Sequence, residues 1–194
     1  MVVMAETNGA GKSSAARFII PEGVDYFNPD QMVKAFHKKN KGAKNLDAWK
    51  YVVKEIKSHI NGEKSFAVET TLSDKTDINK LKTAKQNGFE VNIIYVSLDT
   101  VETHFKRVKN RVINGGYDIP QDVIARRFNS RAKYLSEAMT IADKILIINN
   151  TVSFQKIAYI EQEKIIYQVS NIDEQIEKSI IKFKLKTSFE FWKY

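Results

Sequence analysis

Residues 6–13, Glu6-Thr7-Asn8-Gly9-Ala10-Gly11-Lys12-Ser13, fill the phosphate-loop template G-x-x-x-x-G-K-[ST] at every position but the first. Small residues let such a backbone curl so that consecutive N–H groups point at the phosphates of a nucleotide. The lysine then reaches the outer oxygens, and the hydroxyl offers a ligand to Mg²⁺. Asn8, Gly9, Ala10, Gly11, Lys12, Ser13 and Ser14 are therefore the candidate nucleotide-binding residues, and Ser13 the candidate metal ligand. Holding a nucleotide is not yet a reaction. Phosphoryl transfer also needs a base or orienting group for the acceptor and cations on the transferred group.

Three other places in the chain carry such groups. Asp30 follows Pro29 just past an expected strand, where open α/β sheets put their chemistry, and can act as the base; a helix cap explains an aspartate there equally well. Glu69 ends the apolar run Ser65-Phe66-Ala67-Val68. It can bind Mg²⁺ directly or through water, with Thr70 and Thr71 hydrogen-bonding a polar substrate, or it can mark a polar turn. Arg107, Arg111, Arg126, Arg127 and Arg131 flank Gly115-Gly116. On two helices joined by a glycine hinge, some of them can swing over the nucleotide as a lid, while others are surface residues of amphipathic helices.

These groups need a scaffold that brings them together. Val2-Val3-Met4-Ala5 reads as a short buried strand before the loop, and Ser14 to Ile20 as a helix stopped by Pro21, so the positive helix start faces the phosphates. Further strands are expected at Gly23–Asn28, Ser65–Thr71, Glu90–Leu98 and Ile145–Ile148. Helices are expected at Gln31–His37, from an Asn45 cap to Ile60, at Ile78–Gln86, at Val101–Ile113, and from Gln121 behind Pro120. In the second of these, Leu46, Trp49, Val52, Val53, Ile56 and Ile60 predict an inward-packed face. Alternation of this kind predicts a three-layer α/β/α fold with a mostly parallel sheet and a helical lid at about residues 107–131. After Thr151 the pattern changes to a hairpin, Ser153–Ile160 and Lys164–Val169, and a helix from Ile172 to about Lys182 with Asn171 as its cap. The division expected is a core of residues 1–151 with an appended β-hairpin and helix in 152–194.

Composition removes several classes of function. There is no cysteine, which excludes disulfides, thiol nucleophiles and thiolate metal sites. His37, His59 and His104 lack ligand spacing and read as surface or groove residues. No apolar run approaches the ~18 residues of a membrane span, and the start does not form a signal peptide, so a cytoplasmic protein is expected. The net charge of +8 comes with lysines scattered over helices, which fits a solubilising surface better than a nucleic-acid site. Phe183, Phe189, Phe191, Trp192 and Tyr194 alternate with Lys182, Lys184, Lys186 and Lys193, a mixture that can stack bases; docking on the domain, or a frayed end, is the preferred reading.

In order and spacing, Asn8 to Ser13, Asn28-Pro29-Asp30, Phe66-Ala67-Val68-Glu69-Thr70-Thr71-Leu72, and Arg107 to Arg127 with Gly115-Gly116 and Pro120 resemble the zeta-toxin family of P-loop kinases. The closer likeness is to its small bacterial branch, and it covers residues 2 to about 151. The resemblance implies an ATP- and Mg²⁺-dependent kinase acting on a small molecule, in the best-known members the 3′-hydroxyl of UDP-N-acetylglucosamine, and an antitoxin protein as partner. It implies Lys12 and Ser13 on the phosphates and metal, Asp30 as base, Glu69, Thr70 and Thr71 in the acceptor pocket, and Arg111 and Arg126 as lid cations. The chain departs from the family pattern at Glu6-Thr7, where Gly-Pro is usual, at Tyr117 in place of His, and at Asn149-Asn150-Thr151 in place of Asp-Asn-Ser. Glu6 opens a second reading, a loop that binds nucleotide or a protein partner without catalysis, because a carboxylate facing the phosphates would repel them.

Overall fold

Strand β1 (Val2–Ala5) is the middle strand of the parallel part of the sheet, with β3 (Phe66–Thr70) on one side and β4 (Asn92–Ser97) on the other, both parallel to it. Its Val3, Met4 and Ala5 are fully buried because helices cover both faces, so both side-chain directions need apolar residues. The period of two is visible in the two cores: Val3, Ile93, Tyr95, Ile145 and Ile147 point into one, and Met4, Ile94, Val96 and Ile148 into the other. The computed structural model describes residues 1–190, with side chains except at Asn45 and 188–190.

Adding β2 (Asp25–Phe27), β5 (Lys144–Asn149), β6 (Gln155–Glu161) and β7 (Lys164–Gln168) gives one sheet in the order β2-β3-β1-β4-β5-β6-β7. Strands β1 to β5 run parallel, and β6 and β7 join antiparallel at the end. The chain leaves β1, builds β2 and β3 on one side, then crosses to β4 on the other, so the carboxyl ends of β1 and its neighbours border a crevice. The phosphate loop, Asp30 and Glu69 all lie there.

The helices are α1 (Lys12–Ile19), α2 (Pro29–Lys39), α3 (Asn45–Asn61), α4 (Lys75–Gln86), α5 (Val101–Ile113), α6 (Gln121–Met139) and α7 (Glu174–Glu190). Ala15 and Ala16 of α1 pack on one sheet face; Ile78, Leu81 and Ala84 of α4, Leu135 and Ala138 of α6, and Ile176, Ile180 and Phe183 of α7 pack on the other. The hairpin therefore extends the sheet, and the last helix seals the larger core.

Several boundaries differ from the sequence expectation for physical reasons. Helix α1 starts at Lys12, since the positive φ of Gly11 turns the loop directly into it. Helix α2 starts at Pro29, capped by Asn28, whose Oδ1 accepts from the Gln31 N–H at 3.0 Å. Asp30 is thus an exposed first-turn residue and not the cap. Helix α3 begins at Asn45 itself, with Lys44 in the cap position. On α3, Ala48, Val52 and Ile60 are buried, but Leu46, Trp49 and Val53 are 62%, 47% and 44% exposed, so its apolar belt is wider than the core it covers. Helix α7 is capped by Asp173, which accepts from the N–H groups of Gln175 and Ile176, and not by Asn171. It runs past Lys182 to Glu190, and Phe183 is core; Phe191, Trp192, Lys193 and Tyr194 and the side chain of Phe189 lie outside the described residues.

Candidate active site

The loop after β1 closes around its own backbone. Gly9 and Gly11 have φ of +89° and +98°, and a β-carbon on Gly11 would lie 2.5 Å from Asn150 Nδ2. Both positions therefore require glycine. Asn150 donates to the Ala10 carbonyl at 2.9 Å, and Arg107 donates to the carbonyls of Asn150 and Thr151 at 2.6 and 3.0 Å. The end of β5 is thus a latch on the phosphate loop, and Arg107 fastens the latch.

Glu6 occupies the position where the template has glycine, and it adopts glycine's backbone, with φ of +135°. Its side chain neither lines the cleft above the loop nor reaches solvent. It is fully buried beneath the loop, where Oε1 lies 4.0 Å from His104 Nε2 of α5, and Tyr95 of β4 is its neighbour. Burial and the Glu6 carboxylate push the Tyr95 hydroxyl well above its ordinary pKa. His104 is not a surface residue but wholly buried, and its Nδ1 lies 2.8 Å from the Asn8 carbonyl. A carbonyl only accepts, so Nδ1 carries the proton and Nε2 is left with a bare lone pair. Burial lowers the His104 pKa, against the opposing pull of Glu6 and the Asn8 carbonyl.

Lys12 is also buried, and its Nζ donates to the Glu6 carbonyl at 2.6 Å. Burial lowers its pKa, while Glu69, Glu6 and Asp30 counteract. Ser13 Oγ donates to Glu69 Oε1 at 2.6 Å, and the Tyr26 hydroxyl of β2 donates to the same oxygen. Asn28 Nδ2 completes the group at 3.4 Å from Ser13 Oγ. Burial and then the bond to Glu69 raise the Tyr26 pKa far beyond its usual value, which keeps the phenol a donor.

The cleft above these residues has two lobes. One, of about 530 Å³, is lined by the loop residues Gly9, Gly11 and Ser14 with Lys34, Arg107 and Arg111; the other, of about 430 Å³, by Thr70, Thr71, Asp77, Lys80, Trp49 and Arg127. Asn8, Lys12, Asn28, Asp30, Glu69 and Tyr117 line both lobes, so the lysine and the two carboxylates stand at their junction. Thr70 Oγ1 accepts from the Leu72 N–H at 3.2 Å, and Thr71 Oγ1 meets Ser73 Oγ at 2.8 Å, so both threonines line the second lobe while shaping its floor.

The arginines separate into distinct jobs. Arg111 lies in the first lobe and donates to the Tyr117 carbonyl at 2.5 Å, closing the Gly115-Gly116 turn. Arg127 donates to Asn8 Oδ1 and lines the second lobe; burial lowers its pKa and Asp30 opposes that. Arg126, the lid cation expected beside Arg111, is exposed and lines neither lobe. Taking Ile124 as the inward mark of α6, residue 126 falls about 200° away and residue 127 within about 60°, which is why the neighbour faces the cleft. Arg131 is buried, donating to the Leu98 carbonyl at 2.9 Å and to Asp173 at 2.7 Å, with its guanidinium over Phe128. It is structural.

Tyr26 and Lys34 escaped the sequence reading, which takes His104 as a surface or groove residue, Trp49 as inward-packed, and Asn150 only as part of the Asn149-Asn150-Thr151 departure. The partners of Asn150 and His104 lie 140 and 96 residues away, so no local window shows those contacts. Tyr26 could have been found from alternation in β2, which sends it to the face carrying α1.

The zeta toxin family model matches residues 1–171. The chain belongs to the zeta toxin family. An uncharacterized protein of Haemophilus influenzae is 32% identical over 126 residues, covering 63% of this chain and 87% of its own length. Among solved structures, the AvrRxo1-ORF1:-ORF2 complex with ATP is similar at TM-score 0.66 and 16% identity, over 94% of this chain, which spans 62% of the matched one. A structure from the PezAT chromosomal toxin-antitoxin system of Streptococcus pneumoniae is similar at TM-score 0.51 and 13% identity, over 100% of this chain and 88% of that one. With both solved structures the likeness is one of fold. Among the described residues no helix is long and apolar enough to cross a membrane.

Proposed function

We propose that the protein transfers the γ-phosphate of ATP to a hydroxyl of a small molecule, with the 3′-hydroxyl of UDP-N-acetylglucosamine the acceptor that the family resemblance nominates. The observation that carries this reading is the junction of the two lobes at Lys12, Asp30 and Glu69, which gives a donor side and an acceptor side one set of charged groups. The ATP named with the AvrRxo1 complex supports the donor. The residues that do the work all fall within 1–151.

On nucleotide binding, Lys12 leaves the Glu6 carbonyl for the phosphate oxygens, and the amides of Asn8 to Ser14 cradle the phosphates. Asp30 takes the proton of the acceptor hydroxyl as the new O–P bond forms and the bond to the β-phosphate oxygen breaks, releasing ADP. Arg111 and Arg127 neutralise charge on the transferred group from the two lobes. Ser13 Oγ and Glu69 Oε1 are hard oxygen donors of the kind Mg²⁺ takes, and Mg²⁺ held there supplies charge neutralisation on the phosphates. The reading of a loop without turnover drew on Glu6, whose carboxylate is buried beneath the loop and lines neither lobe; that removes its main motive. The toxin-antitoxin system named with the PezAT relative supports a restraining protein partner.

The test is direct. Purified protein with ATP and Mg²⁺ is expected to convert UDP-N-acetylglucosamine to a phosphorylated product by mass spectrometry. ATP consumption with other hydroxylated acceptors but not with this one removes the sugar nucleotide and keeps the kinase; no ATP binding by calorimetry removes both.

A further inference from the structure

Helix α3 carries more apolar surface than the core uses, and that surface is organised. Leu46, Trp49 and Val53, spaced i, i+3 and i+7, are exposed along one stripe. Lys50, Lys54 and Lys57 run beside it at i, i+4 and i+7, and none of the three is held in an ion pair among the described residues. Stripe and lysines, all on α3, border a shallow, open and predominantly apolar groove along that one helix. A solubilising helix would put lysines where the apolar residues stand, and a core helix would bury them. A stripe two turns long with one cationic bank matches the surface that an amphipathic helix covers.

We infer that this groove docks an acidic amphipathic helix of a protein partner, its apolar residues on Leu46, Trp49 and Val53 and its carboxylates along Lys50, Lys54 and Lys57. The charge of the bank selects the occupant: a second copy of this chain, at +8, brings mostly cations to it. Trp49 makes the groove more than a handle. The same side chain lines the second lobe of the cleft beside Asp30 and Thr71, so a helix seated on the groove touches a wall of that lobe. On the kinase reading, that contact alters acceptor access; the docking itself does not depend on that reading.

The sequence holds two tryptophans, so a Trp192→Phe variant makes Trp49 the single fluorescent reporter. The probe is a stapled peptide of about 20 residues with leucines at i, i+3 and i+7 and glutamates along one flank, beside a control in which lysines replace the glutamates. The expected result is a saturable change in Trp49 emission with the acidic peptide only. It weakens with added salt, and a Lys50→Glu, Lys54→Glu, Lys57→Glu triple variant weakens it about tenfold or more while circular dichroism stays unchanged. Equal binding of both peptides, no binding of either, or binding unchanged in the triple variant overturns the proposal. So does a dimer in sedimentation that is lost with Trp49→Ala. Because the readout is binding, absence of kinase activity leaves the result intact.

Discussion

The carboxylate of Glu6 and the imidazole of His104 face each other at 4.0 Å, both wholly buried beneath the phosphate loop, with Tyr95 beside the carboxylate. Glu6 reaches there only because its backbone takes a left-handed φ of +135°. The loop's first residue therefore carries a strained backbone and a buried carboxylate together.

Glu6→Gly restores the residue the turn requires. It is expected to raise unfolding free energy by about 1–3 kcal/mol, from relief of backbone strain and of the buried carboxylate, and to preserve ATP binding. Chemical denaturation together with calorimetry checks both, and a loss of stability rejects this account of Glu6.

The depressed pKa of His104 fixes the sign of a pH effect. The unfolded chain binds a proton at about pH 6.5 while the folded site resists it, so the His104 contribution is fully present above that pH and is lost as the pH falls below it. Thermal melts from pH 5 to 8 should show this slope, and His104→Asn, which still offers an N–H to the Asn8 carbonyl, should flatten it.

Lys12→Ala and Asp30→Asn should separate binding from chemistry. Removing the Lys12 ammonium is expected to lower kcat by about 10²–10³ and weaken ATP binding as well. Removing the Asp30 charge should lower kcat by about 10²–10⁴ with ATP affinity nearly unchanged, because the proposed mechanism uses Asp30 on the acceptor and not on ATP. Steady-state kinetics with ATP calorimetry reads the difference.

Arg127→Ala should cost at least about tenfold in kcat, since it removes a cation from the cleft and the bond to Asn8. Arg126→Ala on the same helix should change kcat less than about twofold, as expected for an exposed side chain outside both lobes.

Breaking the Arg131–Asp173 pair with Arg131→Met should destabilise the fold by about 3–5 kcal/mol, because Asp173 is left mostly buried while it still caps α7. Double substitution with Asp173→Asn should recover part of that loss in a double-mutant cycle.

Much of this site was readable before the structure. The loop, Asp30, Glu69 and the buried strands follow from local spacing, because each sits where its own strand ends. Their companions do not. Asn150 latches Ala10, and His104 holds Asn8, through hydrogen bonds that no window of neighbouring residues contains. Choosing Arg126 over Arg127 failed on helix phase, which had to be anchored on a buried residue first. On α3 the apolar pattern overstated burial, since periodicity marks a hydrophobic face without saying how much of it the sheet will cover.

The latch also sets a schedule for biosynthesis. The strand that leads into the phosphate loop has no parallel neighbours until β3 and β4 follow, and Ala10 waits 140 residues for Asn150. A nascent chain held short of that asparagine carries the complete loop sequence without the closed loop.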